Sequence, residues 1–119
     1  MAWKKADDLA VAVYAATKAC FPPEERYALR AQLRSASVSV ASNIAEGAGR
    51  ETLADFRRFL FQARGSLMEV ENLIHLSRRL GYLREEEQEG LEAQRAEVGR
   101  VLSSLIRWAG KAMAEGQVT

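Results

Sequence analysis

The sequence predicts an all-α fold, an antiparallel up-and-down four-helix bundle formed by a single domain over residues 1–119. Three observations lead to this prediction. Apolar residues recur at the helical period of about 3.6 in four segments. The segments are separated by short connections that contain proline or glycine, and no stretch alternates with period two for long enough to form a strand. Four amphipathic helices joined in this way pack as antiparallel neighbours.

The composition is that of a water-soluble globular domain. Hydrophobic residues make up 48% and charged residues 28% of the chain, and the net charge is +1. A globally basic nucleic-acid-binding protein is therefore excluded, and any such signal has to come from local clustering. The longest uncharged stretch, 35–45, is too short to cross a bilayer. No leader peptide is expected, and the single cysteine, Cys20, cannot form an internal disulfide, so we expect a cytoplasmic protein.

The first two helices are expected over residues 4–20 and 23–46. Helix one has apolar residues at helical spacing and has to end before the paired prolines at 22–23. The second proline suits the first turn of helix two, where the acidic pair at 24–25 also lies at the end that the helix dipole favours for anions. Gly47 is expected to end helix two in the left-handed conformation.

The third and fourth helices are expected over residues 53–80 and 84–115. Thr52 and Asp55 have the spacing of a capping box, which marks the start of helix three. Gly81 ends that helix. A run of three glutamates then opens helix four at the end where the dipole favours negative charge.

Helices two and three carry apolar or small residues on two faces instead of one. A second face that is apolar and rimmed by polar residues predicts an interface, and the commonest partner is another copy of the chain. Gly65, inside helix three, costs about 1 kcal/mol against alanine, and a close helix approach is one reason to accept it. The alternative is that a small bundle tolerates alanine and serine on its surface. The predicted interface residues are Ala31, Val38, Ala41, Ala45, Phe61, Gly65 and Met68.

Arginines follow one another at helical spacing on helices two and three. Guanidinium groups bind phosphate in a bidentate manner, and repetition around a symmetric assembly would strengthen their combined field. No groove-reading motif or aromatic platform accompanies them, so we expect contacts without sequence specificity. The alternative is that these arginines are solvated or paired with nearby glutamates. The hypothesis of nucleic-acid contacts covers Arg26, Arg30, Arg34, Arg50, Arg57 and Arg64.

Polar side chains near the end of helix two are interpreted as a structural hydrogen-bond network, made by Asn43 and Glu46 with Ser39, Ser42 or Arg50, that fixes the end of the helix or an interface. The alternative is that Glu46 is a ligand or a base. An enzyme would need a nucleophile with its base, a poised acid–base pair or a metal, and the sequence offers none of these. The single histidine, His75, cannot make a closed zinc site. We therefore expect no catalytic residues, no metal ligands and no cofactor.

Four blocks of sequence carry a family resemblance. They are Phe21-Pro22-Pro23-Glu24-Glu25-Arg26-Tyr27, Gln32-Leu33-Arg34, Ser39-Val40-Ala41-Ser42-Asn43-Ile44-Ala45-Glu46-Gly47-Ala48-Gly49-Arg50 and Ala63-Arg64-Gly65-Ser66-Leu67-Met68-Glu69. Together they resemble the four-helix-bundle proteins encoded in intervening sequences of bacterial large-subunit ribosomal RNA genes. The accessory variability protein of diversity-generating retroelements is similar. The resemblance runs from Trp3 to about Tyr82, and residues 42–47 are its most specific part.

The resemblance implies a homopentameric bundle with no known catalytic activity. It also implies partners of the kind that the retroelement protein has, nucleic acid and a reverse transcriptase. Two positions depart from the expected pattern. Ala41 stands where a proline is expected before Ser42, which leaves helix two less kinked. Ser35 stands where a second arginine is expected after Arg34, which weakens the basic patch.

These observations favour a bacterial, cytoplasmic, homo-oligomeric bundle without enzymatic activity that binds nucleic acid non-specifically and serves as an accessory to a nucleic-acid-processing partner. The alternative function is a protein-interaction scaffold with no nucleic-acid role.

Overall fold

The computed structural model describes residues 2–22 and 28–116, without the side chains of residues 19 and 20. The described residues form four helices and no strand. The helices are α1 (Ala2–Cys20), α2 (Leu29–Ala48), α3 (Leu53–Arg79) and α4 (Glu85–Ala114). The all-α, four-helix prediction is confirmed. In the described part of the chain, no helix is long and apolar enough to cross a membrane.

Each helix packs against its neighbours along the chain, and α1 also packs against α4, which closes the bundle. No contact crosses the diagonal among the described residues. Two contacts between α3 and α4 show that these helices are antiparallel. Arg57, early in α3, contacts Ile106, late in α4, whereas Glu71, later in α3, contacts Arg95, earlier in α4. The bundle measures 51 × 23 × 19 Å, and the longest dimension is close to the length of a 30-residue helix at about 1.5 Å per residue.

The ends of α3 follow the predicted signals. The side chain of Thr52 accepts a hydrogen bond from the backbone N–H of Asp55 at 3.1 Å, which satisfies one of the free donors of the first turn. Gly81 has a φ of 80°, in the left-handed region that glycine adopts without strain, directly after the last turn of α3. The acidic run opens α4 at Glu85 as expected.

The predicted end of α2 is wrong. Gly47 does not adopt the left-handed conformation; it lies inside the helix, is buried, and α2 continues to Ala48. The physical reason is packing, because a Cβ at Gly47 would lie only 2.9 Å from the Cβ of Phe59. The predicted start of helix two, with Arg26, lies outside the described residues, and the described helix begins at Leu29.

The core runs along the axis of the bundle. The largest fully buried side chains include Leu9, Leu33, Leu60 and Leu102, one from each helix. Burying a side chain of this size contributes about 1.5–3 kcal/mol to stability, so each of these four leucines contributes substantially to the packing of its helix.

One predicted interface residue belongs to this core. Ala41 is only 8% exposed and packs within the hydrophobic cluster, so its assignment to the outer face of helix two was wrong. The reason is that α2 packs against both α1 and α3, which makes its buried arc wider than a single stripe. Ser37, one turn before Ala41, is buried on the same edge of the helix.

Candidate nucleic-acid interface

The structure distributes the predicted arginines that it describes over three places. Arg30 and Arg34 line a groove between α1 and α2, Arg57 and Arg64 lie on the side of α3 that faces α4, and Arg50 lies in the connection after α2. The arginines predicted to form one surface are therefore separated.

Arg34 holds α2 against α1. Its Nε donates to the Oγ1 of Thr17 at 2.7 Å, and its Nη2 donates to the carbonyl oxygen of Tyr14 at 3.3 Å. The guanidinium also lies 4.5 Å above the ring of Tyr14. Such contacts between a cation and an aromatic face are favourable even near the surface. The guanidinium of Arg34 is thus engaged within the protomer.

Arg57 plays the same part between α3 and α4. Its Nε donates to the carbonyl oxygen of Ile106 at 3.0 Å, and its guanidinium lies 5.0 Å from the ring centre of Phe61. The side chain lies flat on α4 because Gly110 has no side chain, and a Cβ there would come within 2.9 Å of Nη2.

Arg50 is also engaged within the protomer. Its Nη2 donates to the Oε2 of Glu46 at 2.6 Å, and its guanidinium lies 4.7 Å from the ring centre of Phe59. This exposed pair links the end of α2 to the connection that leads into α3.

A second set of arginines comes together between α3 and α4. They line a groove of about 590 Å³, which we call the arginine groove. None of the described residues that line it is acidic. Its lining residues are Arg64, Leu67 and Met68 of α3, and Arg95, Ala96, Gly99, Arg100, Ser103, Ser104 and Arg107 of α4.

One of these arginines, Arg95, is neutralised by ion pairs. Arg95 is only 17% exposed; its Nη2 lies 2.7 Å from the Oε2 of Glu92 and 3.6 Å from the Oε2 of Glu71. The hydrogen bond to Glu92 raises the pKa of Arg95 above its ordinary value, against the opposing effect of burial. This ion-paired cluster marks one end of the arginine groove.

The positive charge of the groove comes from Arg64, Arg100 and Arg107. Among the described residues none of these three has a carboxylate within ion-pair distance. The guanidinium of Arg64 lies 4.9 Å from the ring centre of Phe61, and Arg107 donates to the Oγ of Ser104 at 3.3 Å. These contacts orient two of the guanidiniums without cancelling their charge.

The sequence interpretation missed the contribution of α4. Arg100 and Arg107 lie on the exposed side of α4, and nothing in their spacing indicates which helix stands beside them. One available signal was the row of small residues at Ala96, Gly99 and Ser103. A row of small residues along one edge of a helix leaves space between that helix and the neighbouring helix.

The remaining predicted interface residues are exposed. On α2 the exposed outer face carries no charge over Ala31, Ser35, Val38, Ser42 and Ala45. The outer face of α3 is likewise uncharged over Phe61, Gly65, Met68, Asn72 and His75. A Cβ at Gly65 would have no neighbouring atom within 4 Å. Within the protomer, then, nothing approaches this glycine closely enough to explain it.

The predicted polar network exists in two separate parts. Asn43 donates to the carbonyl oxygen of Ser39 at 2.9 Å, and the Oγ atoms of Ser39 and Ser66 are 2.9 Å apart, which joins α2 to α3. Glu46 is bound separately to Arg50, one of the partners proposed for it. Ser42 is exposed and takes part in neither within the protomer. Ser66 was missed, because its partner lies on another helix.

Comparison with known proteins gives a family and a fold. The family model described as 23S rRNA-intervening sequence protein matches residues 1–104. A solved structure of a protein of unknown function, from the S23 ribosomal protein family of Bacteroides thetaiotaomicron VPI-5482, is similar with a TM-score of 0.82. It is 24% identical, and the match covers 89% of this chain and 98% of that one, so the likeness concerns the fold. Among curated proteins, no sequence matches this chain.

Proposed function

This chain belongs to the 23S rRNA-intervening sequence protein family, and we propose that it is a non-enzymatic, homo-oligomeric helical bundle that binds nucleic acid without sequence specificity. The observation that carries the proposal is the arginine groove, where Arg64, Arg100 and Arg107 line one surface without an ion-pair partner among the described residues.

The spacing of these arginines suits a charged backbone. Arg100 and Arg107 are seven residues apart, which corresponds to about 10 Å along a helix axis. A nucleic-acid strand carries one phosphate for about every 3.4 Å of duplex axis, so two guanidiniums at this distance meet phosphates about three nucleotides apart. Contacts of this kind fix position on the backbone and read no bases. Binding without sequence preference is the expected result.

Self-association is the second part of the proposal. The uncharged outer faces belong to neighbouring helices, since α2 and α3 pack against each other, and the face of α3 borders the arginine groove at Met68. Gly65, which nothing covers in the protomer, suits the close approach of a helix from another copy. The family resemblance adds a homopentamer as the expected assembly. A closed ring would repeat the arginine groove in every protomer and strengthen the field that attracts a polyanion.

The resemblance to retroelement accessory proteins also suggests partners. A reverse transcriptase, or another protein that processes RNA or DNA in the cytoplasm, is the class of partner that we propose. Such a partner would act on the nucleic acid that the bundle holds.

The test of nucleic-acid binding is a mobility-shift titration with structured RNA and duplex DNA between about 50 and 200 mM salt. The test variant is Arg100→Gln/Arg107→Gln. The control is Arg78→Gln/Arg79→Gln, which removes the same charge from exposed positions at the end of α3, outside the groove. We expect weaker binding that is less salt-dependent in the groove variant, with a slope reduced by about two for two lost phosphate contacts.

Equal losses in both variants would mean that binding follows net charge rather than the groove. No binding by the wild-type protein even at low salt would remove the nucleic-acid function and leave the protein-interaction scaffold. One observation favours that alternative: Arg34, Arg50 and Arg57 are engaged within the protomer, which reduces the number of arginines available to a ligand.

A further inference from the structure

We infer that the arginine groove binds a single strand of nucleic acid, with bases on its apolar floor and phosphates on its arginines, in preference to a duplex. The inference rests on the proposed nucleic-acid function and names the form of nucleic acid that this site takes.

The floor of the groove is apolar. Ala96 and Gly99 of α4 line it, with the almost fully buried Leu67 of α3 beside them, between arginines of the two helices. A surface that only met phosphates would gain nothing from an apolar floor. A single strand can contact both the arginines and the apolar floor, since its phosphates are charged and its unstacked bases present flat apolar faces to protein side chains. A duplex buries those faces in its stack and presents only its phosphates and groove edges.

The absence of a side chain at Gly99 opens this floor. A Cβ there would lie 3.5 Å from the Cδ2 of Leu67 and 3.8 Å from the Nη1 of Arg95, which are ordinary contact distances. A Cβ at this position is therefore tolerated, and a larger side chain would extend among the residues that line the groove. The volume of about 590 Å³ lies within the range of about 300–1,000 Å³ that small ligands occupy, which suits individual bases.

Two arginines on the rim of the groove have guanidinium groups that are oriented by neighbouring side chains. The guanidinium of Arg64 lies against the ring of Phe61, and Arg107 is bound to Ser104. Guanidinium planes stack on bases as well as binding phosphate, so both modes of contact are available to a strand in the groove. Orientation before binding reduces the entropy that a strand loses when it is bound.

Charge also limits the length of strand. Glu71 and Glu92 surround Arg95 at one end, and these carboxylates disfavour phosphates beyond that point. The unpaired arginines of α4 extend over about 10 Å, which corresponds to about three nucleotides at duplex spacing. One protomer thus contacts a short segment of a longer strand.

The test compares a labelled oligonucleotide of about 16 nucleotides, the upper range of site sizes for single-strand-binding domains, with the same strand annealed to its complement. Anisotropy titrations use the full chain, Gly99→Leu, and Gly90→Leu as a control on an exposed, open part of the same helix. We expect tighter binding of the single strand than of the duplex. Gly99→Leu should lower single-strand affinity by about fivefold or more, because its side chain would displace a base from the apolar floor, with an unchanged salt slope. Gly90→Leu should bind as the wild type does.

Three outcomes would overturn the inference. If Gly99→Leu binds the single strand as tightly as the wild type does, or if the duplex binds as well as the single strand, then the groove receives phosphates alone. In both cases loss of binding in Arg100→Gln/Arg107→Gln would still support the proposed function. If neither form binds at low salt, the proposed function fails together with the inference.

Discussion

Gly47 of α2 and Phe59 of α3 approach so closely that a methyl group on the glycine would lie 2.9 Å from the Cβ of the phenylalanine. The carbonyl oxygen of Phe56, one turn earlier, would lie 3.3 Å from the same methyl group. One neighbour is a Cβ and the other is a backbone oxygen, and neither can move without moving α3. This contact therefore sets the distance between the two helices near their connection.

Gly47→Ala should destabilise the protein by up to about 2 kcal/mol. Overpacking costs about 1–3 kcal/mol, and the gain of about 1 kcal/mol in helix propensity offsets part of it. Urea unfolding followed by circular dichroism measures the change. Gly90→Ala is the matched control, because nothing lies within 4 Å of a Cβ there and the same propensity gain should stabilise the protein. Equal stabilisation by both changes would mean that α2 and α3 are farther apart.

Thr52→Ala should lower the stability by about 1 kcal/mol. The threonine side chain accepts from the backbone N–H of Asp55, and its removal leaves that donor at the start of α3 without its cap. Thermal or urea unfolding measures the loss. Thr52→Ser keeps the hydroxyl and should retain most of the stability; a serine variant as unstable as the alanine variant would show that the cap is not the cause.

Arg34→Met should destabilise the protein by about 1–2 kcal/mol, because it removes the hydrogen bonds to Thr17 and to the carbonyl oxygen of Tyr14. Arg30→Met, one turn earlier on the same groove, should change the stability by no more than about 0.5 kcal/mol, as is usual for surface substitutions. Urea unfolding of the two variants compares them directly. Similar values for both would indicate that Arg34 contributes through its charge alone.

Val38→Glu should dissociate the proposed assembly. Val38 is 43% exposed on the outer face of α2, and a carboxylate at an apolar interface has to be desolvated without a partner. Light scattering at tens of micromolar protein should report a multiple of the 13.2 kDa protomer for the wild type and the protomer itself for the variant. Val11→Glu is the control, since Val11 is 63% exposed on α1, away from that face. A wild-type protein that is a monomer at this concentration would refute the assembly.

Ala41→Glu is unsuitable for the same experiment. Because Ala41 is buried in the core, a glutamate there would be expected to unfold the protomer, and loss of assembly would then say nothing about an interface.

The Lys5–Glu97 pair between α1 and α4 should make a small, pH-dependent contribution to stability. The Nζ of Lys5 donates to the Oε2 of Glu97 at 2.6 Å, and this hydrogen bond lowers the pKa of Glu97 below its ordinary value. A carboxyl whose pKa is lower in the folded state stabilises that state above its unfolded pKa, and the contribution disappears as the pH falls through the folded value. Lys5→Met should therefore be less stable than the wild type at neutral pH and equally stable in strong acid. Urea unfolding at several pH values measures the difference, which should decrease with added salt.

Much of the fold could be predicted because its signals are local. The cap at Thr52, the left-handed Gly81 and the acidic start of α4 each depend on a few consecutive residues, and periodicity identifies the buried stripe of each helix. The edges of those stripes were less reliable. Ala41 was assigned to the outer face because a single stripe does not reveal that α2 is covered by two neighbours.

The candidate site could be predicted only in part. Arg64 was recognised on its own helix, whereas its association with Arg100 and Arg107 depends on which face of α4 turns toward α3. In the same way, the spacing of Arg57 suggested a phosphate contact, but its guanidinium lies across α4 on Gly110. Interactions between residues so far apart in sequence leave no periodic trace in either segment.

By itself, then, the sequence determined that four helices form and where α3 begins and ends, because these properties arise from backbone capping and from apolar side chains at helical spacing. Only the tertiary structure decided which arginines are engaged within the protomer and which line a common groove, why Gly47 has no side chain, and that Ala41 is buried. Those outcomes depend on the rotation of each helix about its axis and on the distance between neighbours, and both follow from the simultaneous packing of all four helices.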